Sequence, residues 1–245
     1  MGKKRKKESY GPSPVLMWIF IVILIIAIFF LVNSSLFNVS SITVSGNTSI
    51  SSQEIIDLSG INYETNILHV DEYTAKENIE QNFFLVVKNI RRTFPTGVEI
   101  TVRERVPVAQ IGTVNGYYVV DAEGVALALD PVAVEGITEI YNFGIVAPEG
   151  GQKIASDSEE KQNAFFRVLE AMNEYGLNEK ITGIDLNDPQ KIVLTYEGYI
   201  TVKIAGSATV KDRLKNLQAT VDVVRDKLTD GKILNMESAG GYYIG

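Results

Sequence analysis

The sequence predicts an α+β protein held by one amino-terminal transmembrane helix, and three observations predict it. Val15 to Val32 contains no charged or strongly polar residue and follows a basic cluster of Lys3, Lys4, Arg5, Lys6 and Lys7. Residues 37–105 switch between strand and helix spacing of their apolar residues in the order strand, helix, helix, strand, strand. Beyond Pro107 the pattern turns mainly β, with two longer helical stretches. The expected fold is therefore a membrane helix, a small β-α-α-β-β domain, and a mainly antiparallel β domain with packed helices.

The apolar run is 18 residues long. As a helix it would reach roughly 27 Å, close to the ~30 Å hydrocarbon core, with Trp18 near its basic end where an interfacial aromatic belongs. A cleaved signal peptide is the competing reading. Its apolar region is usually ~7–15 residues and ends at a small-residue site, whereas Asn33-Ser34-Ser35-Leu36-Phe37 follows here. A buried soluble helix fits less well, because Ile, Val, Leu and Phe occupy every face. The next Lys or Arg after the run is Lys76, so the amino terminus should be cytoplasmic and the rest outside, a single-pass type II arrangement.

Composition excludes much chemistry. In 245 residues there is one His and no Cys, so disulfides, cysteine nucleophiles, Cys/His zinc sites and His-rich metal centres are unavailable. Of the 23 Lys and Arg, five precede residue 33, and of the 30 Asp and Glu only Glu8 does, which leaves a net charge of −11 on the ectodomain. That field would repel nucleic acid, and no nucleic-acid partner is expected.

The first ectodomain element is a strand over Phe37 to Val44, closed by Ser45-Gly46-Asn47. Ser51-Ser52-Gln53-Glu54 is a capping box opening a helix whose apolar face is Ile55, Ile56 and Leu58, ending at Gly60. A second helix is expected over Asp71 to Asn82, with Tyr73, Ala75, Ile79 and Phe83 available for packing. Leu85 to Thr93 and Val98 to Arg105 then alternate as strands around the turn Phe94-Pro95-Thr96-Gly97. The core should include Val44, Ile55, Ile79, Ile100 and Val102.

Two stretches of this domain carry a resemblance. Ile42-x-Val44-x-Gly46-Asn47-x-x-Ile50-Ser51-x-x-Glu54-Ile55 and Phe94-Pro95-x-x-Val98-x-Ile100-x-Val102-x-Glu104-Arg105-x-Pro107-x-Ala109 resemble the opening and closing segments of the POTRA domain in the FtsQ/DivIB bacterial cell-division family. The resemblance extends to the hairpin Tyr118-Val119-Val120-Asp121-x-x-Gly124. It covers nearly all of residues 15–240. Between Pro131 and Gly151 the family often has a Leu-Pro-x-apolar-x-Gly segment, which this chain lacks.

After Pro107 the expected elements are a strand at Val108 to Ile111 and a hairpin over Gly116 to Leu127. Asp121 to Gly124 lacks calcium-loop spacing and reads as a tight turn with Gly124 at positive φ. Asp157-Ser158-Glu159-Glu160 caps a helix running to Gly176, with Phe165, Val168, Leu169, Met172 and Tyr175 on one side. Strands follow at Ile181 to Leu186, Lys191 to Tyr196 and Tyr199 to Ala205. A last helix carries Val210, Leu214, Leu217, Val221, Val224 and Leu228 in a coiled-coil-like seam, which either packs on its own sheet or meets a partner helix. Gly231 to Glu237 closes the chain as a final strand. The expected boundaries are a cytoplasmic basic tail at 1–14, the span at 15–32, the POTRA domain at 37–106, the β domain at 107–237 and a tail at 238–245.

Enzymatic function finds no support. His69 is the sole imidazole and sits in Asn66-Ile67-Leu68-His69-Val70, where a partly buried structural role is expected. No Ser-x-x-Lys, Gly-x-Ser-x-Gly or Walker loop occurs. Acidic pairs such as Asp71-Glu72 and Glu159-Glu160 fall at helix starts, where the dipole explains them. No catalytic residue, cofactor or metal site is expected. A POTRA-bearing translocation or assembly factor would need tandem modules and a carboxy-terminal barrel.

The resemblance instead implies a non-enzymatic division scaffold at the septum, held in lipid through residues 15–32. The implied partners are FtsL-type and FtsB/DivIC-type single-pass proteins and, through them, the septal peptidoglycan synthase. A terminal strand leaves a ladder edge free for another chain, unless the Gly240 to Gly245 tail masks it. In this family the FtsB/DivIC-type partner is engaged near the final strands. That places the partner site at Lys232, Ile233, Leu234, Asn235, Met236 and Glu237, with Tyr242 and Tyr243 beyond as aromatic anchors.

Overall fold

The structure is a computed structural model that describes residues 13–228, 232–237 and 241–245. The basic cluster, Gly231 of the expected final strand and Ser238, Ala239 and Gly240 of the tail lie outside the described residues. Helix α1 spans Pro14–Val32 and is exposed on nearly every face. Ser13 caps it, Pro14 occupies its first turn, and no residue in it is buried against protein. An apolar surface of that length with no protein against it suits a lipid environment. The chain divides into two compact units, one including α1 with the residues up to Glu80 and Val87–Arg103, the other Gln81–Val86 and Glu104–Gly245.

In the first unit a 3₁₀ turn, Ser35–Phe37, precedes β1 (Ser41–Ser45). The strand thus starts later than the alternation of Phe37 and Val39 suggested, and Val39 is buried ahead of it. Helix α2 (Ser52–Ser59) begins where the capping box placed it, with Ser51 Oγ accepting from the Glu54 amide at 3.2 Å, and ends on Gly60 in the left-handed region. Helix α3 (Glu72–Glu80) is shorter than expected. Asp71 stands outside it as a cap, its carboxylate accepting from the Tyr73 and Thr74 amides at 3.0 and 3.2 Å. Those bonds hold the Asp71 carboxyl below its usual range, the Thr74 hydroxyl bond contributing most.

Strands β2 (Leu85–Thr93) and β3 (Gly97–Glu104) complete a sheet of order β1-β3-β2, with β1 parallel to β3 and Ser41 opposite Gly97. Val98, Ile100 and Val102 alternate inward and, with Ile55 and Ile79, form the core. Val44 is only half-buried, because β1 is an edge strand. Tyr73 is exposed, and Phe83 belongs to the second unit, where its ring lies on the Gly150 backbone. Gly46 is a structural requirement: its φ is +86°, and a Cβ there would fall 2.0 Å from the Val102 carbonyl oxygen.

The second unit is built on nine strands. β4 (Pro107–Thr113), β5 (Gly116–Asp121) and β6 (Ala126–Asp130) form a meander. β7 (Thr138–Tyr141) follows, and β8 (Ile145–Val146) pairs with β9 (Ala155–Ser156) as a separate ribbon. After helix α4 (Glu159–Glu174) come β10 (Ile181–Asp185), β11 (Lys191–Tyr196) and β12 (Ile200–Ala205). Helix α5 (Gly206–Val224), β13 (Ile233–Met236) and β14 (Tyr243–Ile244) close the chain. The sheet order is β14-β13-β12-β11-β10-β7-β4-β5-β6.

Five of its neighbouring pairs are antiparallel, and β4–β7, β7–β10 and β12–β13 are parallel. Strand β7, unforeseen, joins the two halves of the sheet. It lies in the stretch after Pro131 that departs from the family pattern, and Thr138 secures it by donating to the Ile181 carbonyl at 2.5 Å. Every seam residue of the last helix, from Val210 to Leu228, is buried in one core with Phe165, Leu169 and Met172 of α4. The seam therefore turns to its own sheet and leaves no coiled-coil face for a partner.

Candidate partner-binding edge

The β12–α5–β13 crossover sets the carboxy-terminal end of the sheet, since parallel neighbours require a connection that passes over one face. Val202 faces Leu234 and Ile204 faces Met236 across the parallel pair, and all four are buried beneath the helices. The alternate residues of β13 point to the uncovered face. There the ladders align one row through six strands: Tyr141, Asp185, Val193, Lys203, Asn235 and Tyr243.

The free-edge expectation for Ile233 to Glu237 needs correction, because β14 occupies that edge. Leu234 pairs with Ile244 and Asn235 with Tyr243, while Ile233 and Gly245 exchange both amide bonds at 3.1 Å. The masking alternative is the observed one. Its physical reason is visible in the side chains: Asn235 Nδ2 donates to the Tyr243 hydroxyl at 2.7 Å and to Glu237 at 3.0 Å, and Asn235 Oδ1 accepts from the Glu237 amide at 2.9 Å. One nearly buried amide thereby satisfies itself only when the tail is folded back.

The structure brings the expected site residues together unevenly. Leu234 and Met236 belong to the core, Asn235 is the linchpin, Ile233 and Glu237 are half-buried, and Lys232, Tyr242 and Tyr243 are exposed. Beside them lies a trough of about 500 Å³ walled by Asp185, Asp188, Lys191, Lys203, Glu237 and Tyr243. The acidic groups there are engaged locally: Asp185 accepts from Asn142 and the Asn187 amide at 2.8 and 2.9 Å, and Asp188 from the Gln190 amide at 2.9 Å. Mixed charge around an aromatic and an amide can bind a polypeptide and offers no nucleophile with a base. Among the described residues no three His, Cys, Asp or Glu gather as a metal ion would need. His69 is exposed on a 3₁₀ turn, not partly buried as expected.

Tyr141, Asp185 and Lys203 were not foreseen as part of this face. Their alignment depends on the registers of strands separated by tens of residues, and no local pattern reports that.

Comparison with known proteins completes the picture. The POTRA domain, FtsQ-type, matches residues 37–105. The cell division protein DivIB of Clostridium acetobutylicum is 28% identical over 199 residues, covering 80% of this chain and 77% of its own. DivIB of Clostridium botulinum is 26% identical over 242 residues, covering 94% and 88%. FtsQ of Syntrophotalea carbinolica is 37% identical over 91 residues, 37% of this chain and 32% of that one. The chain is thus similar to the DivIB and FtsQ cell-division proteins over most of its length. The named relatives support a role in cell division, and α1, the one helix among the described residues long and apolar enough to cross a membrane, supports a membrane-anchored single-pass protein. Among solved structures, the major extracytoplasmic domain of the trans isomer of DivIB from Geobacillus stearothermophilus aligns with 51% of this chain and 98% of its own, at 12% identity and a TM-score of 0.33.

Proposed function

We propose that this chain is a member of the FtsQ/DivIB family, a non-enzymatic scaffold whose amino terminus is cytoplasmic and whose ectodomain, outside the membrane, holds FtsL-type and FtsB/DivIC-type proteins at the septum. Through them it supports the septal peptidoglycan synthase. The observation that carries this reading is the carboxy-terminal sheet edge, where among the described residues β13 is covered by the two-residue strand β14. So short a cover contributes few ladder bonds and can be extended or exchanged by a partner strand. Lys232, Ile233, Leu234, Asn235, Met236 and Glu237 form or flank that ladder, and Tyr242 and Tyr243 supply contact area at its rim.

Division is tested by position in the cell. A fluorescent fusion of the full chain concentrates at midcell in dividing cells under this proposal. A uniform membrane signal throughout the division cycle contradicts it.

A further inference from the structure

The last carbonyls of a helix have no partner within it, and at the boundary of a hydrocarbon layer each unpaired one is costly. At the end of α1 protein groups take them. The Phe29 and Leu31 carbonyls, which accept the Asn33 and Ser34 amides at 3.1 Å, take second bonds from Asn33 Nδ2 at 2.8 Å and Ser34 Oγ at 2.6 Å. The Val32 carbonyl accepts from Asn66 Nδ2 at 2.8 Å. Asn66 is 34 residues further along the chain, in the loop between α2 and α3.

That loop is joined to the emerging chain twice more. Asn38 and Asn66 form an antiparallel bridge, and the Val39 amide donates to the Thr65 carbonyl at 2.9 Å. Asn66 Oδ1 also accepts from the Leu68 amide at 3.0 Å, which fixes the 3₁₀ turn beside it. The loop thus sits at the level where the membrane helix ends. Its exposed side chains include Tyr63 and Leu68, and Leu36 is exposed on the facing turn. An interfacial Tyr with aliphatic neighbours is the composition of a surface that rests among headgroups.

We propose that the loop from Asn62 to His69, with Leu36, lies in the headgroup layer of the leaflet from which α1 emerges. The occupant of this surface is the lipid interface. Glu64 lies in the same loop, so attraction to anionic lipid is not the driving term, and burial of Tyr63, Leu68 and Leu36 is. The POTRA domain is then fastened to the bilayer at two points, the span and the loop.

Trp18 is the one tryptophan of the chain, which makes a depth measurement direct. The full chain carrying Trp18→Phe is reconstituted in phosphatidylcholine vesicles with a single Tyr63→Trp, Leu68→Trp or Gln53→Trp. Gln53 is exposed in the first turn of α2, at the far end of β1 from the membrane helix. Lipid spin-labelled near the headgroup should remove most emission from the Tyr63→Trp and Leu68→Trp indoles, lipid labelled at the chain terminus should remove less, and the Gln53→Trp indole should keep its emission. Adding Asn66→Ala to Tyr63→Trp should reduce the quenching. Equal quenching at all three positions, or none at Tyr63→Trp and Leu68→Trp, overturns the proposal.

Discussion

Arg105 and Asp121 form a close ion pair in the second unit, and both side chains are largely buried. Asp121 Oδ1 meanwhile accepts from the Glu123 and Val125 amides at 2.9 and 2.8 Å and so shapes the turn that ends on Gly124. Gly124 has φ +74°, as the turn requires. Two sequence motifs that look independent, Glu104-Arg105-x-Pro107 and Val120-Asp121-x-x-Gly124, are therefore the two halves of one contact.

Breaking this pair from one side should be costly. Arg105→Met leaves a buried carboxylate without its cation, at roughly 3–5 kcal/mol. Arg105→Met with Asp121→Asn should recover much of that, because the amide oxygen can still accept from the turn. Denaturant titrations of the parent, both single variants and the double variant measure the coupling, and additive effects would contradict the pairing.

The core of the first unit predicts a second outcome. Ile100 is fully buried on the inward face of β3. Ile100→Asp places an uncompensated charge there, at a cost of about 4 kcal/mol against a total stability of ~5–15 kcal/mol. Loss of the cooperative melting transition of this unit is expected. Its retention would show the strand face to be misassigned.

A pH effect follows from the β11–β12 turn. Arg225 forks onto Glu197 at 2.6 and 3.2 Å, and its hydrogen bonds hold the Glu197 carboxyl below its ordinary value of 4.5. Because the folded value is the lower one, this contact stabilises above about pH 4.5 and is lost as pH falls through the lowered value. Glu197→Gln should lower the melting temperature at pH 7 by a small amount, since both groups are partly exposed. The difference from the parent should shrink in acid, and a difference that is constant with pH would remove the assignment.

Topology offers a fourth test. A reporter active only outside the membrane should work when fused after Asn33 and fail when fused before Val15. Release of a soluble ectodomain beginning near Ser35 would establish cleavage in place of anchoring.

Much of the fold was legible because local signals agreed. Capping at Ser51 and Ser158, the hairpin at Phe94 to Gly97 and the alternation in β3 and β11 each mark their element without reference to the rest. Strand β7 escaped notice because four residues with a buried Thr carry too little periodicity, and its place follows from two parallel pairings with distant strands. The edge at β13 was legible as a terminal strand. Its cover was not, because the fold-back of the tail depends on the Asn235 to Tyr243 hydrogen bond, which joins two residues no pattern links.

The partner site at the end of the chain is the central claim, and a binding titration of the purified ectodomain against an FtsB/DivIC-type ectodomain tests it most directly. Tyr242→Ala with Tyr243→Ala leaves the apolar core intact, since both side chains are exposed, and removes the hydroxyl to which Asn235 Nδ2 donates. Leu234→Pro removes a ladder amide. Each should weaken binding more than any substitution within residues 39–105 that preserves the fold. Unchanged affinity in the folded double Tyr variant, and in a chain truncated after Thr229, would contradict the account and move the site elsewhere.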